Sequence, residues 1–554
     1  MKNKIFAILA GAALLTMPTS CIKEFEPQSG TVTSDQAANA PGSFDNFVGA
    51  IATDISGQFL FGSDDHRAND YGYTTFWLFG DVMGNDMVAY GGDTNWYSSF
   101  YQSQYLGSGY INCQYYWAFY YGEIKNCNTV IGMAGENPDE KFKVGAGTAR
   151  AYRAMFYLEL AQMFAQKPYG VDPQSPTVPI VTNETSVAAT TNNPRATNED
   201  MLKFILDDLD QAESLLDGYV RPDKFTPDKS VVYGLKARAY LYMEDWANAE
   251  KYAKLAQQGY TVMTNEQYTD RNHGFNDANF TNSWMLACGF KSSDLTIQVN
   301  DGDNCWGTWM ICEYETDLGY YNAYSAANLM DRHLYETIPA TDARKKCYVD
   351  FALDDMSSKA EIVEALKAYS DVPESVYLTG QSLEQYGGMS LKFRSKDGNH
   401  TENQVGYCVD LPMMRVEEMV LIEAEAAGRQ NEGRGIQLLT NFAKMRDPGY
   451  VYGTHNEAYY NESTPAFINE IWWQRRVEFW GEGKATPDVK RLQKGIIRSY
   501  PGSNHIDGYR WNVNHVPDWM NICIVQTESN YNSAIINNPT PVAPSGGNSP
   551  EYIW

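Results

Sequence analysis

The sequence predicts a mostly α-helical protein, built as a scaffold of tetratricopeptide-like helical hairpins with large irregular insertions and a few short strands. Three observations favour this fold class. Apolar residues recur at three- and four-residue steps in several segments, as in amphipathic helices. One pair of neighbouring segments has the spacing of small and aromatic residues that is typical of a tetratricopeptide repeat. Long stretches rich in Gly, Pro, Asn and Thr separate the helical segments.

The composition indicates a folded, acidic protein. The chain has 554 residues, of which 43% are hydrophobic and 20% are charged, so it can bury a sizeable core. Its 43 basic and 69 acidic side chains give a formal net charge of -26. This charge would repel a phosphate backbone, so the composition disfavours a nucleic-acid partner.

The N-terminus has the pattern of an export signal. Lys2 and Lys4 precede an apolar stretch of 13 residues, which is too short to cross about 30 Å of hydrocarbon as a helix. The stretch is followed by Pro18-Thr19-Ser20-Cys21, and a cysteine in this place predicts a bacterial lipoprotein that is acylated at Cys21. An ordinary secretory signal, with Cys21 incidental, is the alternative.

The predicted domain organisation follows from that signal. Residues 1–20 form the lipoprotein signal peptide, and residues 21–42 are polar, without a periodic apolar face. A flexible tether of this length reaches about 25 Å. Residues 43–554 are predicted to form a single body.

The segment over residues 198–217 predicts an amphipathic helix. Thr197 precedes it as a candidate N-cap, with Asp200 three residues later. Its apolar stripe consists of Leu202, Ile205, Leu209, Ala212 and Leu216.

The clearest hairpin lies over residues 231–260. Small alanines let two antiparallel helices approach closely, and Met243-Glu244-Asp245 forms the turn between them. Tyr240 and Trp246 are expected to fill the wedge between the helices. The residues that match the repeat are Ala237, Tyr240, Trp246, Ala249, Ala253 and Ala256.

Similar hairpin helices are predicted elsewhere in the chain. One includes residues 148–165, and another pair runs over residues 415–446 with Gly433 and Gly435 in its turn. A terminal helix follows over residues 466–480, and residues 295–299 predict a short strand.

Two large insertions, around residues 60–112 and 261–325, interrupt the scaffold. Loops of this length inside a compact body are uncommon and often carry a binding surface. Of the 51 residues from Tyr71 to Tyr121, 18 are aromatic, a far higher share than the 14% of the whole chain. Some of these rings belong to a predicted buried helix, namely Tyr116, Trp117, Phe119 and Tyr120.

Sequence motifs for catalysis and for metal binding are absent. The seven histidines form no H-E-x-x-H pattern, and no C-x-x-C occurs. Gly481-Glu482-Gly483-Lys484 is not a phosphate loop, because Ala485 replaces the Ser or Thr that would hold magnesium. We therefore predict no cofactor and no metal site, and expect most cysteines after Cys21 to be buried thiols.

Five stretches together resemble the SusD/RagB family of outer-membrane lipoproteins. They are Ala149-Arg150-Ala151-Tyr152-Arg153-Ala154, Val178-Pro179-Ile180-Val181-Thr182, the hairpin over 231–260, Leu411-Pro412-Met413-Met414-Arg415, and Gln474-Arg475-Arg476-Val477-Glu478-Phe479 with Gly481-Glu482-Gly483-Lys484. The second stretch corresponds to a strand in the family. Thr486 and Pro487 stand at positions that are usually aromatic, a departure expected to affect packing. The likeness spans most of the chain and is loosest over residues 60–120 and 261–330, where the family binds its ligand.

The resemblance implies a binding protein rather than an enzyme. Such a protein would be anchored at the outer membrane through a lipid on Cys21, on the cell surface. It would capture an oligosaccharide or polysaccharide and deliver it to a SusC-like TonB-dependent transporter. The helical repeats would face the transporter and the insertions would face the glycan.

The insertions contain residue types that suit sugar binding. Aromatic planes cover the apolar faces of a pyranose, while amides, carboxylates and phenols hydrogen-bond its hydroxyls. In the first insertion we select Tyr90, Asn95 and Trp96, which stand among glycines and polar residues. In the second we select Trp306, Trp309, Tyr320 and Tyr321; the resemblance places family binding aromatics shortly before a helix, which here is expected near Ser325. Packing within the insertions is the alternative role for these rings.

Three other functions are compatible with the sequence. The family also includes RagB-like peptide-capturing lipoproteins, so the ligand could be a peptide. The tetratricopeptide unit could instead serve only as a scaffold for another protein. A hydrolase could use an unrecognised carboxylate pair, since such a pair has no fixed sequence spacing.

Overall fold

A computed structural model of the protein describes residues 42–57, 71–89, 97–298, 305–313 and 328–554. Residues 42–46 belong to one compact unit, Met1–Asn46, and the other described residues belong to a second, Phe47–Trp554. Within these ranges the structure has 21 α-helices and six short strands, which confirms the predicted mostly α-helical class.

The elements are named in chain order. The helices before residue 260 are α1 (Ser43–Asp54), α2 (Thr74–Met83), α3 (Ser98–Tyr101), α4 (Ile111–Ala134), α5 (Glu140–Phe164), α6 (Val187–Thr190), α7 (Asn198–Leu215), α8 (Lys229–Met243) and α9 (Trp246–Ala256). Those of the second half are α10 (Asn265–Tyr268), α11 (Leu295–Gln298), α12 (Trp306–Met310), α13 (Arg332–Thr337), α14 (Lys359–Leu366), α15 (Pro373–Leu383), α16 (Asn403–Gly406), α17 (Val416–Gln430), α18 (Glu432–Arg446), α19 (Ala466–Glu478), α20 (Ala485–Arg491) and α21 (Gln526–Tyr531). The strands are β1 (Met87–Ala89), β2 (Trp284–Gly289), β3 (Asn328–Met330), β4 (Asp410–Arg415), β5 (Ile496–Ile497) and β6 (Asn512–Val513), paired antiparallel as β1–β3, β2–β4 and β5–β6.

The predicted tetratricopeptide hairpin is the pair α8–α9. Its alanines at the helix contact are fully buried, because only a small side chain fits between two closely packed helices. Glu244 makes the turn in the left-handed conformation at φ 59°, and Asp245 caps α9 by accepting from Asn248 N at 3.1 Å. Tyr240 and Trp246 are only half-buried, so they contribute less to the wedge than the repeat spacing predicts.

The hairpin α17–α18 departs from the sequence prediction at its turn. The helices meet at Asn431, and Gly433 and Gly435 lie inside α18 rather than in the turn. A Cβ on Gly435 would stand only 2.4 Å from the Cα of Gly428. Gly435 therefore allows the two helices to pack closely. Its neighbours in the sequence do not distinguish this role from a role in a turn.

Other predicted segments are confirmed or corrected. Helix α7 begins as expected, with Thr197 accepting from Asp200 N at 3.1 Å. The strand predicted over residues 295–299 is wrong, because Leu295–Gln298 is a helical turn. Residues 178–182 belong to none of the six strands; instead, Tyr157 donates to Val181 O at 2.9 Å.

The centre of the body contains a buried ion cluster. Glu478, at the end of α19, accepts from Arg415 Nη1 and Arg446 Nε at 3.0 Å and from Arg344 Nη1 at 3.3 Å. These four side chains are at most 1% exposed. The cluster joins β4, α18 and α19 to Arg344, which lies more than 60 positions before β4, and so holds the two family-like stretches around residues 411–415 and 474–484 together.

Two further properties concern the described part of the chain. None of its helices combines the length and apolar character needed to cross a bilayer. Its eight cysteines are free thiols, and all except Cys408 are buried, as predicted.

Candidate functional site

The strands β1 and β3 join the two insertions in which ligand contacts are predicted. Ala89, the last residue of β1, pairs with Asn328, the first residue of β3. Ala89 leads directly into residues 90–96, and residues 314–327 lead directly into Asn328. Both segments are therefore attached at the same end of one small buried sheet.

An aromatic contact joins the other ends of these two segments. Tyr97, which follows residues 90–96, makes an edge contact with Trp309 at 5.0 Å between ring centroids. The hydroxyl of Tyr97 also contacts the hydroxyl of Tyr71 and lies 2.9 Å from Thr75 Oγ1. Tyr97 and Trp309, which lie at or near the other ends of these segments, therefore belong to one aromatic cluster.

The predicted contact residues fall into two groups. Tyr90, Asn95, Trp96, Tyr320 and Tyr321 lie outside the described residues, as does the helix expected near Ser325. After residue 327 the chain forms β3 and then α13.

Trp306 and Trp309 are described, and both are 0% exposed. Trp306 packs edge-on against Phe393 at 4.5 Å, and Trp309 packs against Tyr97. A ring needs an open face to stack on a pyranose, and neither indole has one. We therefore correct the assignment of these two residues from ligand contact to packing beneath the insertions.

An open bowl of about 570 Å³ lies beyond the opposite end of β3. Asn504 donates to Met330 O at 3.1 Å and accepts from Arg332 N at 2.9 Å, which joins the bowl to the sheet. Its lining residues are Arg332, Phe351, Asp354, Gln385, Gly502, Ser503, Asn504, His505, Ile506, Asp507 and Arg510.

A buried histidine supports the loop that forms one wall of the bowl. His505 Nδ1 lies 2.8 Å from Tyr101 OH, and Nε2 lies 3.2 Å from both Asn85 O and Asp331 Oδ1. Burial lowers the pKa of His505, so the ring is neutral near pH 7. With two acceptors near Nε2, the neutral ring carries its proton on Nε2 and accepts a hydrogen bond from the Tyr101 hydroxyl at Nδ1.

The wall residues of the bowl leave hydrogen-bonding capacity for a ligand. Arg332 pairs with Glu336 through Nε at 2.7 Å and lies over the Phe351 ring at 5.2 Å. Asp354 Oδ1 accepts two backbone N–H groups, and its burial raises the pKa of the carboxyl. Arg510 donates through Nε to His505 O at 2.6 Å. Fixed donors and acceptors beside one aromatic ring suit a ligand rich in hydroxyl groups.

Sequence reasoning missed the bowl entirely. Its residues come from three separate parts of the chain, around 332–354, 385 and 502–510. The only local signal is the polar, glycine-containing run Gly502-Ser503-Asn504, which is typical of any loop.

In the same described ranges, no three His, Cys, Asp or Glu side chains come together as possible metal ligands.

Two family models match the chain. Residues 57–241 match a model described as starch-binding associating with outer membrane, and residues 257–541 match a model of the SusD family. No curated protein matches.

Solved structures with the same fold include three from Bacteroides. A SusD-like carbohydrate-binding protein from Bacteroides vulgatus is 22% identical, with a TM-score of 0.67 over 89% of this chain and 97% of that one. A SusD superfamily protein from Bacteroides thetaiotaomicron is 18% identical, with a TM-score of 0.66 over 92% and 100%. Surface glycan-binding protein A from the same organism, in complex with laminarihexaose, is 16% identical, with a TM-score of 0.60 over 90% and 99%.

The family assignment rests on the second model, which covers more than half of the chain, and the shared fold agrees with it. The chain therefore belongs to the SusD family.

Proposed function

We propose that the protein captures a glycan at the bacterial cell surface and delivers it to a SusC-like TonB-dependent transporter. The observation that carries the proposal is the pairing of Ala89 with Asn328, which attaches both aromatic-rich segments at one end of one sheet. Membership of the SusD family supports it, as does the laminarihexaose complex of one structural relative.

In this proposal the ligand contacts come from two sources. Tyr90, Trp96, Tyr320 and Tyr321 supply rings, and Asn95 supplies an amide. The bowl beyond β3 supplies charged and polar groups that hydrogen-bond the hydroxyls of the same or a neighbouring sugar unit. Each stacked ring contributes about 1 kcal/mol, so a few rings and solvent-competed hydrogen bonds correspond to roughly micromolar to millimolar affinity.

Affinity electrophoresis of the mature protein on polysaccharide gels tests the proposal. Laminarin is the first probe, because a relative binds its hexaose, and a panel of other polysaccharides follows. We expect retardation by at least one glycan and no release of reducing sugar. Retardation by none of them, together with binding of oligopeptides, would replace the glycan with a peptide ligand. Sugar release that depends on one Asp or Glu would make the protein a hydrolase.

The contribution of the bowl is tested with Arg332→Met. We expect glycan affinity to fall about threefold to tenfold, because a charged hydrogen-bond donor is lost from the binding surface. Arg434→Met is the matched control, since Arg434 is similarly exposed and also pairs with a glutamate, Glu250, on the tetratricopeptide hairpins. Equal affinity of both variants and the wild type would remove the bowl from the site.

The anchor at Cys21 belongs to the same proposal. We expect Cys21→Ala to abolish labelling of the protein by a radioactive fatty acid and to release it from the cell surface. Unchanged labelling in this variant would place the lipid elsewhere, and unlabelled wild-type protein would favour an ordinary secretory signal.

A further inference from the structure

Two tyrosines form an exposed pair of rings shortly before α4. Tyr105 is 57% exposed and Tyr110 is 50% exposed. Their ring centroids lie 5.3 Å apart, and their planes are inclined at 62°. Among the described aromatic residues from Tyr71 to Tyr121, these two are the exposed ones, while the others are buried or half-buried. Each ring covers only part of its neighbour, so both keep a surface that is open to a ligand.

Buried contacts hold the loop that carries these rings. Leu106, which directly follows Tyr105, is 3% exposed, and its carbonyl accepts a hydrogen bond from Cys113 Sγ at 3.2 Å. Gln104 N donates to Ser99 O at 2.8 Å, which ties the loop to α3. A loop that is already fixed loses less conformational entropy when a ligand binds, so more of the contact energy appears as affinity.

The backbone of the same loop is strained at Tyr105. Its φ is 56°, in the left-handed region that a bulky side chain rarely adopts. Ser103, two residues earlier, also has a positive φ, of 54°. Such conformations are unfavourable and persist where the surrounding contacts enforce them, which is common at ligand-binding positions. The strain therefore accompanies an exposed ring in a fixed place.

An amide group lies beside the ring pair. Gln526, the first residue of α21, donates its N–H to Ser108 O at 2.9 Å, which attaches α21 to the loop. Its side-chain oxygen lies 3.4 Å from the position that a Cβ on Gly109 would occupy. The Gln526 side chain is exposed and makes no hydrogen bond to the described part of the chain. Aromatic surfaces beside a free amide suit a ring with apolar faces and a rim of hydroxyl groups.

The ring pair lies near the bowl. Tyr101, the last residue of α3, supports the wall of the bowl: its hydroxyl lies 2.8 Å from His505 Nδ1 and accepts a hydrogen bond from Ile506 N at 3.2 Å. Both of these partners line the bowl. A segment of four residues spans at most about 14 Å, so the Cα atom of Tyr105 lies within that distance of the Cα atom of Tyr101. One oligosaccharide chain is long enough to contact the bowl and the ring pair together.

We propose that Tyr105 and Tyr110 form a further sugar-binding subsite. Their open ring surfaces stack on the apolar faces of pyranose units, and the Gln526 amide hydrogen-bonds a hydroxyl group. One flat sugar unit cannot stack on two rings inclined at 62°, so the pair suits two units of a bent chain. The subsite rests on the proposed glycan capture and adds contacts to those of the bowl.

Chemical protection tests the subsite in the wild-type mature protein. Tyrosines are iodinated enzymatically with and without saturating laminarin, and the modified residues are identified by mass spectrometry. If laminarin does not retard the wild type on gels, the polysaccharide that retards it most takes its place. We expect the glycan to slow iodination of Tyr105 and Tyr110 by about fivefold or more, because the stacked sugar covers the rings. Tyr252, half-buried on α9 of the tetratricopeptide hairpin, is the internal control and should react at an unchanged rate.

Variants of the pair separate stacking from general apolar contact. Tyr110→Phe keeps the flat ring, so it should bind the same glycan with almost unchanged affinity. Tyr110→Leu keeps an apolar side chain without a flat ring and should weaken binding about threefold or more. The double variant Tyr105→Ala/Tyr110→Ala should weaken it about tenfold or more, with a melting temperature within a few degrees of the wild type.

Two results would overturn the subsite and leave glycan capture intact. One is a glycan that binds the wild type without slowing the iodination of either tyrosine. The other is normal glycan affinity in both Tyr110→Leu and the double variant. A wild type that binds no polysaccharide of the panel would instead overturn glycan capture and the subsite together, so the two failures are distinguishable.

Discussion

Glu478→Ala should lower the free energy of unfolding by about 3–5 kcal/mol or prevent folding. Removing one partner from a buried ion cluster costs this much because the remaining charges stay buried without compensation. Glu478 is fully buried and accepts hydrogen bonds from Arg344, Arg415 and Arg446, so its loss affects three guanidinium groups at once. Chemical denaturation followed by circular dichroism measures the effect.

The matched control is Glu374→Ala. Glu374 forms one surface pair with Lys359, in which both side chains are more than half exposed. Such a pair contributes at most about 1 kcal/mol, so this variant should unfold almost like the wild type. A loss of less than about 1 kcal/mol in Glu478→Ala would show that the cluster does not stabilise the fold.

The ion cluster around Glu478 also makes the free energy of unfolding depend on pH. Burial alone would raise the pKa of Glu478, but the guanidinium groups of Arg446, Arg415 and Arg344 outweigh it and hold the pKa well below its ordinary value. A carboxyl with a lowered pKa in the folded state stabilises the protein fully above its ordinary pKa, which is 4.5 for this glutamate. This contribution declines as the pH falls below that value towards the lowered pKa of the folded state.

The second large effect concerns glycan binding. We expect Trp96→Ala and Tyr321→Ala each to weaken glycan affinity tenfold or more, with melting temperatures within a few degrees of the wild type. An aromatic ring that stacks on a sugar contributes through its contact with the ligand, and its removal need not disturb the core. Isothermal titration with the glycan identified on gels measures the affinities.

Tyr531→Ala serves as the control for these variants. Tyr531 is 51% exposed on α21, so its removal tests whether loss of any surface ring reduces binding. Normal binding by both Trp96→Ala and Tyr321→Ala would reject the proposed contacts without affecting the family assignment. A drop in melting temperature comparable to that of a core variant would assign these rings to packing.

Helical elements were predictable where the pattern is local. The alanine spacing of α8–α9 and the cap at Thr197 depend on residues three or four apart, which the chain itself brings into contact. Residues 295–299 were misassigned because a short apolar run does not distinguish a strand from a helical turn. Gly435 was misassigned because a glycine in a turn and a glycine at a helix contact look the same in sequence.

The site was predictable only in part. The aromatic-rich stretch from Tyr71 to Tyr121 contains Tyr97, whose ring contacts Trp309 of the second insertion. Aromatic content alone does not distinguish rings that pack in the protein interior from rings that are exposed to a ligand. Trp306 and Trp309 were therefore predicted as ligand contacts, although both are buried. Burial depends on contacts with residues such as Phe393, which lies more than 80 positions later.

By itself, the sequence determined the helical class, the hairpin repeat, the export pattern and the family resemblance, because each is carried by residue types at short, regular spacing. Only the tertiary structure decided that Ala89 and Asn328 join the two insertions, that Arg332 and Arg510 line one bowl, and that Trp306 and Trp309 are buried. The physical reason is that pairing, burial and compensation of charge depend on distances between residues hundreds of positions apart, which no local pattern encodes.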